Sequence, residues 1–301
     1  MSVMTDASLN VSSSRVFAVF RYLLNQKDYK DERQTLELLL SPAALLHGGD
    51  GSAPSRAMVR GTIHESLKMK LLTEFEETKE IGLHRALPPA VFARPTGEKL
   101  LPFTLANLIL TTENLANENL ALVITWYLSQ NAHSAPGNWD QFEARWRDQV
   151  GGNLVSMNNA RYRQFIDWIC FLGFAWRHSL QRNLVITPDP TQYLRRALHY
   201  VFQEDKTNTL TMKDFMNRLS ILCPVFEGGA YRTRIETETR VDERGPNRLS
   251  TVTSLGLLRL QDERLVELIK LSDADLFILP DGERIHRYSH IKLLDGSDGV
   301  E

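Results

Sequence analysis

Three stretches of this chain run an amphipathic helical pattern through a Leu-Leu or Leu-Gly step and straight into a β-prone segment. They are residues 55–75 (SRAMVRGTIHESLKMKLLTEF), 160–186 (ARYRQFIDWICFLGFAWRHSLQRNLVI) and 246–260 (PNRLSTVTSLGLLRL). A helix with one apolar stripe and a short hairpin with one apolar face are each unstable alone, so the junction predicts that the two close on each other. One such step is common in any mixed protein; three predict a repeated unit. The fold class expected is mainly α with short β-hairpins, in tandem winged helix-turn-helix modules.

The pass along the chain places three modules, at residues 1–90, 91–205 and 206–301. In the first, Ser12-Ser13-Ser14 offers N-caps for a helix over 15–25. A second helix over 32–40 stops at Ser41-Pro42. After the Gly/Ser-rich loop 47–54, a third helix carries Met58, Val59, Ile63 and Leu67 toward a core, and a hairpin runs from 72 to 87. In the middle, an irregular stretch 92–103 precedes helices at 105–110, 115–130, 139–150 and 160–172. Gly173 is placed to cap the last of these, and strands at 174–177 and 183–187 follow. A helix at 192–202 closes the middle region, and the final third repeats the scheme with a helix at 213–222 and a charged stretch, 231–244, read as a loop or arm. A short recognition helix then spans 247–254, Leu255-Gly256 turns the chain, and strands follow at 257–260 and 265–271.

Composition limits what these modules can do. The 301 residues carry a formal charge of -2, so this is no basic coat protein, and any contact with nucleic acid must come from local basic faces. The two cysteines, Cys170 and Cys223, sit in apolar runs and read as buried free thiols. With no apolar run long enough to cross a membrane, the expected location is the cytoplasm, with no membrane association.

A helix-turn-helix reads the major groove with its last helix. In the first module that helix would show Ser55, Arg56, Arg60, His64 and Lys68, and the hairpin would add Lys79, His84 and Arg85. In the second, Asn158, Asn159, Arg161, Arg163 and Gln164 gather at the helix start, with Arg177, His178 and Arg182 in the wing. Residues 145–200 hold eight Arg against three Asp, a surplus of five positive charges in a net-acidic chain. Arg and Asn suit bidentate contacts with guanine and adenine. In the third module Arg232, Arg234, Arg240, Arg244 and Arg248 alternate with acids, a pattern better suited to a protein partner than to a phosphate track.

Catalytic signatures do not assemble. The run Gly48-Gly49-Asp50-Gly51-Ser52 lacks the Lys-Ser/Thr ending of a phosphate-binding loop. His286 and His290 have helical spacing but lie in a β-prone segment, and Asp273, Asp275 and Asp281 read as turn residues. No nucleophile is placed with a base and an electrophilic stabiliser. The expectation is a protein that is not an enzyme, with no metal and no cofactor.

The order of these features, from SRVFAVFRYLL and SRAMVRGTIHESLKMKLL to the ARYRQFIDWICFLGFAWR helix-to-wing step, resembles the DpdG-type proteins of bacterial islands that insert 7-deazaguanine derivatives into DNA. The resemblance implies a non-catalytic accessory role in DNA modification or phage defence, with double-stranded DNA and the other protein subunits of the system as partners. It carries no catalytic residues. Two other readings stay open: a winged-helix scaffold gripping partner proteins, as in complexes of chromosome-organising ATPases, and a transcription regulator with an effector pocket in the apolar region 115–142.

Overall fold

The computed structural model describes Met4 and residues 11–42, 56–114, 119–152, 154–180, 183–203 and 207–294. Among these the chain is mainly helical, with eleven α-helices and small antiparallel sheets, in two compact units, Met1–Ile109 and Leu110–Glu301.

The first unit begins where Ser12, in extended conformation, accepts a hydrogen bond from the Arg15 N–H at 3.4 Å and satisfies one of the donors left open at a helix start. Helix α1 (Ser13–Leu24) then buries Val16, Val19, Phe20, Leu23 and Leu24, the i, i+3, i+4, i+7, i+8 stripe of a core-facing helix. Strand β1 (Lys30–Glu32) and helices α2 (Arg33–Leu40) and α3 (Ala57–Lys68) follow, then the hairpin β2 (Leu72–Phe75) and β3 (Glu80–Leu83). The antiparallel sheet has the order β1-β3-β2, with Lys30 opposite Gly82 and Leu72 opposite Leu83. On α3, Val59 and Ile63 face the core as the periodicity predicts, but Met58 is 48% exposed.

A fourth helix, α4 (Thr96–Ile109), occupies much of the stretch expected to be irregular. Pro102 lies inside it and removes one backbone hydrogen bond. Burial of Leu100, Leu101, Phe103, Leu105, Ala106 and Ile109 outweighs that loss.

The second unit is built first on aromatic packing. Helices α5 (Asn119–Leu128), α6 (Trp139–Gln149) and α7 (Asn159–Leu172) bring Trp126 within 4.9 Å of both Phe142 and Trp146, and Tyr127 within 5.6 Å of Phe165. Gly173 ends α7 at φ 89°, a left-handed cap as the sequence predicts. The chain then pairs β4 (Ala175–Leu180) with β5 (Asn183–Pro188). The buried Tyr127 hydroxyl donates to the Ile186 carbonyl at 3.1 Å, which ties this hairpin to the helices.

The rest of the second unit runs α8 (Thr191–Phe202), β6 (Thr209–Thr211), α9 (Met212–Leu222), α10 (Ala230–Glu238), α11 (Thr251–Asp262), β7 (Val266–Ile269), β8 (Phe277–Asp281), β9 (Arg284–Tyr288) and β10 (His290–Leu293). Its three-stranded antiparallel sheet is ordered β6-β10-β7. Strand for strand this is the order of the first unit: the first strand, then the last, then the middle one. Helix α10 and the hairpin β8-β9 are additions to that plan.

Two expectations for the last third do not hold. The stretch 231–244 is not simply an arm, because α10 occupies its first half. The Leu255-Gly256 step is not a turn, because α11 passes straight through it and covers the span expected to be a strand. Gly256 sits where α11 crosses α8: a Cβ there would lie 2.7 Å from Leu194 Cδ1 and 3.2 Å from Pro190 Cγ. The glycine marks a close approach of two helices, and the sequence pattern alone cannot tell that from a helix end.

Candidate nucleic-acid interface

On α3 the buried set Val59, Thr62, Ile63, Glu65 and Ser66 fixes the helix rotation. What remains outward is a stripe of Arg60, His64 and Lys68, all exposed and four residues apart. Arg60 Nε donates to Glu37 Oε2 of α2 at 2.7 Å, and Lys68 Nζ to Glu65 Oε1 at 2.8 Å. The cations are 61% and 47% exposed while their carboxylates are largely buried, so each can meet a phosphate from outside while keeping its partner. Arg56, just ahead of the helix, reaches the Ser41 carbonyl at 3.5 Å. Lys79 stands exposed in the β2-β3 turn with φ 56°, and Arg85 is exposed beyond β3. His84 is half-buried and accepts from the Ala86 N–H at 3.2 Å.

The second cluster is organised differently. Asn158 Oδ1 accepts from the Arg161 N–H at 2.9 Å, so this residue caps α7. Asn159 Oδ1 accepts from Arg163 Nε at 3.1 Å, and Arg161 donates to the Ser156 carbonyl. Gln164 is buried, 6% exposed, and does not belong to the outer face. The exposed polar residues therefore gather at the first turn of α7. Arg177 and His178 are exposed on β4, opposite Ile186 and Val185, and as successive strand residues they point to opposite faces. Trp176, 59% exposed beside them, was not singled out in the sequence, although an aromatic in a basic hairpin is a legible signal. Ser55 and Arg182 lie outside the described residues.

The third cluster is divided, with Arg232 buried, Arg234, Arg244 and Arg248 half-buried and Arg240 exposed. Arg232 was expected on a partner-facing surface, but its side chain is 1% exposed and holds Glu227 Oε1 at 3.1 Å and Glu236 Oε1 at 2.8 Å. Arg244 also grips Glu236 and donates to the Arg248 carbonyl at 2.7 Å. Arg234 pairs with Glu238 at 3.2 Å one turn along α10. The reason for the burial is Glu227, an acid closed into the core that also accepts from the Ser250 N–H at 2.8 Å and from the Thr253 hydroxyl at 2.9 Å. Burial alone would raise its pKa, but Arg232, Arg244 and the Ser250 bonds outweigh it and hold the carboxyl below its ordinary value. The network fixes the start of α11, whose outer surface is largely closed: from Thr251 to Gln261 only Arg259 is exposed.

His286 lies on β9 and His290 opens β10, on separate strands. Among the described residues no group of three or more His, Cys, Asp or Glu side chains is placed to hold a metal ion, and no helix is long and apolar enough to cross a membrane.

Comparison with known families gives one match: the family model described as DpdG-like matches residues 1–274. No curated protein and no solved structure matches the chain.

Proposed function

The chain belongs to the DpdG-like family, and from that membership we propose that it is a non-catalytic, DNA-binding accessory component of a bacterial 7-deazaguanine DNA-modification system, built from tandem winged helices. The observation that carries the reading is the α3 stripe of Arg60, His64 and Lys68. It stands on the third helix of an α-β-α-α-β-β unit with sheet order β1-β3-β2, where a winged helix carries its groove-reading side chains. The hairpin turn with Lys79 takes the place of the wing. Helix α7 and the β4-β5 hairpin make a second module that offers DNA its capped helix end and Arg177.

The last module has the same strand order but a covered third helix, which favours a structural or partner-binding role there over groove reading. A scaffold for the other protein subunits is accordingly the second reading.

The test is binding of the full chain to a mixed-sequence duplex across a salt series, beside Arg60→Gln/His64→Gln/Lys68→Gln. DNA recognition through α3 requires affinity that falls steeply with salt, and a salt slope lower by about one for each phosphate the variant no longer neutralises. A chain that binds no duplex at low salt removes the DNA reading and leaves the scaffold.

A further inference from the structure

A cleft of about 240 Å³ opens in the second unit beside the network that holds the start of α11. Its lining includes Lys213 and Asn217, one turn apart on α9, Arg244, Asn247 and Arg248 from the segment before α11, and Glu227. Glu227 is spent, since Oε1 takes Arg232 and the Ser250 N–H while Oε2 takes the Thr253 hydroxyl. The Arg244 guanidinium is spent on Glu236 and the Arg248 carbonyl. Lys213, Asn217, Asn247 and Arg248 are different: among the described residues none of these four side chains meets a hydrogen-bond or ion-pair partner.

We propose that this cleft binds a phosphate group, held between Lys213 and Arg248 with the Asn217 and Asn247 amides as further donors. Two unpaired cations entering from separate segments, with two amide donors beside them, match the spread charge and several oxygens of a phosphate group better than a lone carboxylate. Lysine supplies a point charge and arginine a planar fork of donors, a combination that suits phosphate. At about 30 Å³ for a water molecule, the volume admits a phosphate with a few waters but not a buried base and sugar as well. The phosphate is either a nucleic-acid backbone group or the exposed end of a small phosphorylated ligand. The site does not depend on groove reading by α3, which lies in the other unit.

The experiment is a phosphorus-NMR titration of the full chain with inorganic phosphate, repeated on Lys213→Gln/Arg248→Gln and on Asn217→Asp, with folding checked by circular dichroism. The expected result is saturable binding by the natural chain and a loss of at least tenfold in both variants. Asn217 is exposed on α9, so its variant decides the matter if the double variant fails to fold. Displacement of phosphate by a short duplex identifies the backbone as the source, and displacement by a nucleoside monophosphate but not by duplex identifies a small ligand. No saturable binding at millimolar phosphate, or equal affinity in the folded variants, overturns the proposal.

Discussion

Glu227 and Arg232 meet at 3.1 Å with side chains only 8% and 1% exposed, an ion pair closed off inside the second unit. Two charges taken out of water tolerate the loss of either partner badly, because the survivor keeps its desolvation cost without its counter-charge. Arg232→Met is therefore expected to lower unfolding stability by about 3–5 kcal/mol, read from urea denaturation. The double variant Glu227→Gln/Arg232→Met should lose less than the sum of the two single variants. Additive losses would mean that the two side chains do not act as a pair.

The same carboxyl gives a pH signature. Its native pKa is held below the ordinary value, so its stabilising contribution is complete above the unfolded-state value of about 4.3 and is lost as pH falls through the native value. Glu227→Gln should be less stable than the natural chain at neutral pH. The gap should close only on the acid side of the ordinary glutamate range. A gap that stayed constant from neutrality down to strong acid would show that Glu227 is not ionised in the native state.

Neither thiol should react in the folded chain. Cys170 is half-buried and Cys223 fully buried, and this desolvation pushes them up to about 11 and about 12; at Cys223 the bonds from Tyr193 and the Val225 backbone only partly oppose it. At pH 8 roughly one Cys170 in a thousand is then thiolate, the form that attacks a disulfide reagent. Titration with Ellman's reagent should give almost no rapid signal natively and two thiols in guanidinium chloride. A fast native reaction of one full thiol would contradict this burial.

How much of this was readable depended on whether the signal was local. The Ser12 cap, the α1 stripe and the Gly173 cap are short-range patterns, and each stands where it was expected. Strand β1 is Lys-Asp-Glu, with no strand propensity, and it exists because β3 offers it a partner about fifty residues away. Helix α10 could have been found: Arg232 with Glu236 and Arg234 with Glu238 are i, i+4 pairs, a helical signal hidden by reading the run only as interleaved charge. Glu227 could not. A lone acid in VFEGG looks like a surface residue until the fold places Arg232 and the start of α11 around it.

Asn158 separates stability from binding at the second cluster. Its side chain caps α7 by accepting from the Arg161 N–H at 2.9 Å, so Asn158→Ala should cost about 1 kcal/mol of stability. Aspartate caps about as well as asparagine, and its charge is favourable at a helix N-terminus, so Asn158→Asp should hold or slightly raise the melting temperature. That negative charge would stand at the exposed first turn of α7, where the DNA reading brings phosphates close. Duplex affinity should therefore fall in Asn158→Asp while stability does not, most clearly at low salt where screening is weak. Unchanged affinity in that variant would take the start of α7 out of the interface and leave the α3 stripe to carry DNA binding alone.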